Sequence, residues 1–522
     1  MNVLDRKGNT IKGTATGLVL QAFHMVVPFI LKTIFIFTLG IQYSGLNSLF
    51  ASILQVLNLA ELGVGYALVF SMYKPIAEGD TEKICALMRL YRLYYRIIGV
   101  VILIIGCAFI PVLPVLIAQD LPPDVNLTVL YLLNLGTTVF SYWFFAYRNC
   151  IFSAHQKTYI TNIIRMIIGI LTYAVLFAVL LLFKNYYLFL IVNLVSQVLN
   201  NMVIAIFSQK LYPQYSPRGF IEKEERKTIN KKVASLFAVK VNAVITNAAD
   251  SIVLSSFLGL TVLGIYNNYY YLLTSVMALF TVFYTSFKAG LGNSLITETK
   301  EKNASDFFKI TFMLSFMICI AFSCFLNLYQ PFVTLWLGKD YLLGFHSVIL
   351  LSFYFLSYEY PLFWAMYKDA AGKWKEDMLR SIIAPLFNLI TNIVLVNTIG
   401  INGVILSTVA TYGLISGPWL LVNLKKHILA FSIRKYLLRM LLYIGCTLSG
   451  AVATYFVCSV VPLTGVWELL IRLAISVCIP GGLFILCFFK THEFKESVCL
   501  LKSVLHKKKN NQKKFKKQVS QD

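Results

Sequence analysis

"LNLAELGVGYALVFSMYKPIAEGD", Leu57–Asp80, sets a carboxylate, Glu61, inside a run that otherwise suits lipid. An ionised group at membrane depth costs several kcal/mol unless it meets a water-filled cavity or a partner. The stretch therefore reads as part of a membrane span with an inward-looking polar face.

The rest of the chain is of the same kind. Of 522 residues, 58% are apolar, 15% aromatic and only 13% charged, and mean hydropathy is +0.73, more lipid-like surface than an aqueous fold needs. A membrane helix takes roughly 20 apolar residues, and about fourteen such spans can be drawn. Their cores lie near 12–38, 45–71, 95–118, 126–147, 159–183, 186–208, 233–257, 261–287, 310–336, 343–366, 379–397, 402–424, 438–460 and 467–489. The expected fold is an all-α polytopic membrane protein.

Basic residues fall in alternate loops. Of the 46 lysines and arginines, all but six lie at the N-terminus, in every second loop or in the C-terminal tail. Lys184 and Lys339 lie on the other side, and Lys32, Arg165, Lys240 and Arg472 fall within spans. This asymmetry predicts a cytoplasmic location for both termini. A net charge of +23 spread over these loops, with "HKKKNNQKKFKK" at His506–Lys517, fits anionic lipid headgroups better than nucleic acid. The ten cysteines show no C-x-x-C metal spacing, and Met1–Thr10 is too polar for a cleavable signal. There is no phosphate-loop motif, no H-E-x-x-H and no catalytic constellation, so neither an enzyme nor a cofactor is expected.

"LGIQYSGL" at Leu39–Leu46 returns as "LGLTVLGI" at Leu258–Ile265, 219 residues on, each after a long apolar span. This placement predicts two parallel six-helix lobes, as transporter repeats have. They would be 1–208 and 233–424, joined by a basic cytoplasmic linker at 209–232. An amphipathic segment with helices 13 and 14 would follow at 425–490, and a basic tail at 491–522.

Three spans carry polar faces. Gln21, His24, Pro28 and Lys32 share about 80° of arc on span one, and Lys240, Asn247 and Asp250 do likewise on span seven. Asn47, Asn58, Glu61 and Gly65 align within about 60° on span two. Plainer readings stand beside these: Lys32, Lys240, Arg165 and Arg472 as snorkelling or structurally paired cations, Glu61 and Asp250 as packing residues, Glu359 as the stabiliser of a kink at Pro361, and His24 as a helix-contact histidine.

"GLNSLFASILQVLNLAELGVGYALVFSMYKPIAEGD" at Gly45–Asp80, followed by "MRLYRLYYRIIG" at Met88–Gly99, resembles the second and third spans of Wzx-type polysaccharide flippases, members of the multidrug/oligosaccharidyl-lipid/polysaccharide exporter superfamily. The resemblance implies a cavity lined by spans one, two, seven and eight, and outward movement of undecaprenyl-pyrophosphate-linked oligosaccharides across the bacterial cytoplasmic membrane. On that reading Lys32 and Lys240, with Arg165 and Arg472 in reserve, meet the pyrophosphate. Gln21, His24, Asn47, Asn58, Asn247, Asn267 and Asn268 supply a hydrogen-bonding cavity. Glu61, Asp250 and Glu359 are candidates for coupling to H+ or Na+. Polysaccharide-assembly proteins are possible partners. The alternatives are a drug or organic-cation antiporter of the same superfamily, whose cavity should be dominated by acids, and a membrane-embedded glycan-assembly enzyme, which would need long outer loops.

Overall fold

The structure is a computed structural model that describes residues 6–61, 63–117, 121–460 and 465–499. Its α-helices are α1 (Arg6–Leu39), α2 (Ile41–Leu57), α3 (Val64–Glu78), α4 (Thr81–Ala108), α5 (Leu127–Trp143), α6 (Asn149–Ala154), α7 (Thr158–Ala178), α8 (Tyr186–Leu211), α9 (Lys223–Thr297), α10 (Lys300–Trp336), α11 (Phe345–Ala370), α12 (Arg380–Ile399), α13 (Ile401–Ala410), α14 (Gly417–His427), α15 (Ile433–Ser459) and α16 (Val466–Phe488). No strand occurs among the described residues. With lipid outside, helices are the economical answer, because each satisfies its own backbone polar groups.

Eleven helices among the described residues are long and apolar enough to cross a membrane, or twelve if the bent pair Leu127–Trp143 and Ala146–Ala154 is one span. The protein is an all-α, multi-pass membrane protein. The sequence suggests about fourteen spans, and two features account for the difference. The 75-residue α9 is two helices joined at Gly259, and the span from Ile41 to Glu78 is interrupted at Asn58–Glu61, so neither half is long enough by itself.

That interruption falls in the stretch quoted first. Asn58–Glu61 forms a 3-10 turn, Gly63 takes φ 98°, and α3 begins at Val64. The uninterrupted span drawn over 45–71 is thus corrected: a left-handed backbone at Gly63 cannot continue an α-helix. The single polar face computed for span two spans two helices. Asp80 then caps α4, its Oδ1 accepting from the Lys83 N–H at 2.9 Å.

The chain forms two compact units. The first comprises Met1–Asn268 and Ser381–Val404. In it α1 packs along α7, α4 and α8 flank α5, and α3 lies against α4 and α6. Its outer faces are apolar and exposed, as at Ile97, Ile104, Leu171 and Leu182; such a surface needs lipid. The second unit comprises Tyr269–Arg380 and Ile405–Asp522. Here α10, α15 and α16 pack mutually around an aromatic core of Phe307, Phe312, Tyr436, Tyr443 and Phe484. The Trp364 indole N–H donates to the Tyr436 hydroxyl at 2.8 Å, which satisfies a polar group inside that core.

In the first unit the two copies of the L-G-h-x-x-x-G-h pattern, where h is apolar, pack against each other. Gly40 (φ 108°, ψ 167°) and Gly259 (φ 88°, ψ 173°) share a conformation open essentially only to glycine. Gly45 lies against the Leu260 backbone, where a Cβ would overlap the carbonyl; Gly264 lies against Ile41, where a Cβ would come 2.5 Å from its carbonyl oxygen. Backbone cannot yield as a side chain can. Gly45→Ala and Gly264→Ala should each destabilise the protein by about 1–3 kcal/mol, whereas Gly445→Ala, with nothing within 4 Å, should be neutral or mildly stabilising. Thermal unfolding in detergent checks this, and equal melting temperatures for all three would contradict the crossing.

Candidate functional site

Between α1, α5, α7 and α8 the first unit holds an open cavity of about 450 Å³ with many polar side chains in its walls. Its α8 wall carries Asn193, Gln197, Asn200 and Asn201, at i, i+4, i+7 and i+8, so one helix face presents four amides. The opposite wall carries Arg165, Thr172 and Tyr173 of α7, with His24 from α1. Gly169 lets α7 approach Phe23 of α1, since a Cβ there would lie 3.0 Å from its ring. The walls are tied by a short Thr172–Ser196 hydroxyl contact of 2.5 Å, and the Asn201 amide donates to the Ser141 carbonyl at 2.9 Å. The buried Asn200 Oδ1 has no hydrogen-bond partner among the described residues.

Arg165 makes no ion pair among the described residues, and no carboxylate lines the cavity. An exposed guanidinium lining a cavity that also presents amides and hydroxyls suits an anionic or hydroxyl-rich guest, as it offers donors in a planar fork. The cavity brings Arg165 and His24 together. Sequence reading missed the α8 stripe, although its four amides at helical spacing within an apolar run are a legible signal.

The remaining candidates divide into small sets. Lys32 on α1 donates from Nζ to the Asn267 carbonyl at 2.9 Å. Gln21 is exposed, Asn268 is fully buried, and the side chains of Lys240 and Asn247 lie outside the described residues. Asn47 accepts from the Tyr186 hydroxyl at 3.1 Å and Asn58 from Tyr142 at 3.0 Å.

Glu61, on the 3-10 turn, accepts from the Tyr95 hydroxyl at 2.9 Å, and Tyr95 is itself 2.9 Å from the Tyr91 hydroxyl. The rings of Tyr95 and Tyr142 meet edge to face at 5.3 Å. Tyrosines of α4 and α5 therefore meet the interrupted span at both Asn58 and Glu61. Asp250 on α9 is 4% exposed and accepts from the Asn392 amide of α12 at 2.7 Å. In the second unit, Glu359 accepts from the Tyr284 hydroxyl at 2.5 Å, and Arg472 pairs with Glu468 one turn away at 2.9 Å. Among the described residues no cluster of three or more His, Cys, Asp or Glu side chains can hold a metal ion.

No family model and no curated protein matches the chain. Solved structures do. The lipid II flippase MurJ in an inward closed conformation matches with a TM-score of 0.64 at 16% identity, over 89% of this chain and 98% of that one. An inward-facing multidrug resistance MATE family transporter of the MOP superfamily matches with a TM-score of 0.61 at 13% identity, over 77% and 94%. An outward-facing MATE structure gives 0.54 at 13% identity, over 81% and 96%. The chain has the fold of these transporters.

The Asp250–Asn392 pair gives a direct test of how the buried carboxylate is held. Asn392→Leu removes one of its donors and should destabilise the protein by about 1–3 kcal/mol, the range for a lost hydrogen bond to a charged group. Asp250→Leu/Asn392→Leu should lose less than the two single variants together, because the two side chains share one hydrogen bond. Melting temperatures of the single and double variants measure it, and a double variant less stable than the sum of the two singles contradicts the pairing.

Proposed function

We propose that the chain is a flippase that moves an anionic, lipid-linked oligosaccharide across a bacterial cytoplasmic membrane by alternating access, with both termini in the cytoplasm. The observation that carries this reading is Arg165, unpaired among the described residues, in a carboxylate-free cavity lined by amides and hydroxyls. A pyrophosphate needs a cation with directed donors, and a glycan needs hydrogen-bonding walls; one cavity supplies both. Lys32, held at the Asn267 carbonyl, is another candidate cation within a span of the same unit. Arg472, already paired with Glu468, has less to offer a phosphate. The likeness to a lipid II flippase in fold supports a lipid-linked cargo. An organic-cation antiporter is disfavoured, because such cargo calls for carboxylates where this cavity has none.

Reconstituted vesicles loaded with a fluorescent undecaprenyl-pyrophosphate oligosaccharide test the reading. Arg165→Ala should lower translocation about tenfold or more, the loss of one charge-assisted contact, and Arg165→Lys should retain part of it. Unchanged translocation in Arg165→Ala, or transport of a cationic dye in place of the lipid, would overturn it.

Coupling to an H+ or Na+ gradient belongs to the same proposal. An ion drives a transporter only through different affinities for its two states, and Glu61, on an interrupted span under a tyrosine hydroxyl, is the group best set to change partners. Glu61→Gln should keep normal abundance while losing its response to an imposed gradient in those vesicles. A full response in both Glu61→Gln and Glu359→Gln would place coupling elsewhere.

A further inference from the structure

A second pocket of the first unit, about 350 Å³, lies between the start of α4 and the strap that leads into α9. It is lined by four arginines, Arg89, Arg92, Arg96 and Arg226, with no carboxylate among its lining residues. On α4 the first three sit at i, i+3 and i+7, so they share roughly 60° of one face. None of the four forms an ion pair among the described residues. Glu225, next to Arg226, pairs instead with Lys83 at 3.1 Å, and Glu222 and Glu224 point to solvent. Concentrating like charges without counter-ions is unfavourable, and an anion relieves it.

The pocket is built rather than incidental. Arg89 donates to the Gly219 carbonyl at 3.1 Å and lies 4.0 Å from the centre of the Phe220 ring. Gly219 takes φ 79°, which lets the strap pass close to Ala86. Phe220 itself is 84% exposed, an exposure that is costly in water and ordinary in a membrane interface.

The α4 face indicates what kind of anion fits. Beyond Arg96 it continues through Ile97, Val100 and Ile104, all exposed and apolar. The arginines thus stand at one end of an exposed apolar face of a membrane-length helix, the setting in which a charged headgroup meets hydrocarbon. A soluble phosphate would use the guanidinium groups and leave that apolar surface and Phe220 unused.

We propose that this pocket binds the phosphate headgroup of an anionic glycerophospholipid, with its acyl chains along Ile97–Ile104 and Phe220 inserted beside them. The site is separate from the cargo cavity and holds whether or not the flippase reading does. Bidentate guanidinium contacts to phosphate oxygens fix the headgroup, and the bound lipid joins the start of α4 to the strap before α9.

The full-length protein in a non-ionic detergent is titrated with dioctanoyl phosphatidylglycerol, dioctanoyl phosphatidylcholine and glycerol 3-phosphate, with the unfolding midpoint as readout. Phosphatidylglycerol should raise the midpoint saturably, and the other two should not at the same concentrations. Arg89→Gln/Arg92→Gln/Arg96→Gln should weaken phosphatidylglycerol binding tenfold or more. Phe220→Ala, at an exposed position that does not threaten folding, should weaken it about threefold, an effect of lost apolar contact. Lys425→Gln/Lys426→Gln, a basic pair of the second unit that does not line this pocket, should leave it unchanged. Equal binding by the Phe220→Ala protein and the wild type, an equal loss in the Lys425/Lys426 variant, or equally tight binding of glycerol 3-phosphate would each overturn the proposal.

Discussion

Two glycines that touch backbone set the geometry of the first unit. Gly45 rests on Leu260 and Gly264 rests on Ile41. Adding 219 to 41 and to 45 gives 260 and 264, so the repeat carries this contact onto itself with the partners exchanged. A contact that is its own image is the mark of a local two-fold axis, the arrangement expected where parallel repeats meet. Helices in lipid gain little from burying apolar side chains, so close approach at small residues is what holds them together. Gly40 and Gly259 then let the chain reverse in the same conformation on either side of the crossing.

Given that scaffold, the four acids set deepest in the apolar runs, Glu61, Asp250, Glu359 and Glu468, each meet a neutral donor or a cation. Tyr95 serves Glu61, Asn392 serves Asp250, Tyr284 serves Glu359, and Arg472 serves Glu468. Neutral donors satisfy a carboxylate while leaving its proton or ion free to exchange, whereas a paired arginine fixes the charge. Arg165 is the exception among the cations, as no acid answers it and a cavity does. Glu61, Asp250 and Glu359 are thus held by neutral donors, while the cavity that Arg165 lines contains no carboxylate.

Much of this was legible in the sequence, and the parts that were not share a cause. Apolar runs predicted the helices, and the glycine echo marked a real contact because sharp turns and close crossings demand glycine at fixed places. The partners of Glu61 and Asp250 were hidden: Tyr95 lies 34 residues away and Asn392 lies 142 away, distances at which periodicity says nothing. The interruption at Asn58–Glu61 was missed because hydropathy averages over it, although Asn58, Gly63 and Gly65 were there to be read as breakers. The α8 amide stripe was overlooked for the same reason, diluted within a long apolar window.

The interruption has no counterpart at the offset of the glycine echo. The same offset takes Asn58, Glu61, Gly63 and Gly65 to Met277, Phe280, Val282 and Tyr284, and there α9 runs on unbroken to Thr297. Apolar and bulky residues remove both the charge and the backbone freedom that a break needs. The tyrosine standing at the Gly65 equivalent is the one that reaches Glu359, so the second unit keeps a tyrosine–carboxylate pair with the roles exchanged between helices. In the first unit the acid sits on the interrupted span and the hydroxyl on its neighbour; in the second the hydroxyl sits on the continuous helix. An interrupted helix can change the position of its acid by turning a few dihedrals, while a continuous one must move as a rod. Glu61 therefore sits where the backbone leaves the helix, and the charge inside that lipid-like stretch belongs to a span whose turn, unlike its counterpart in α9, can reposition an acid.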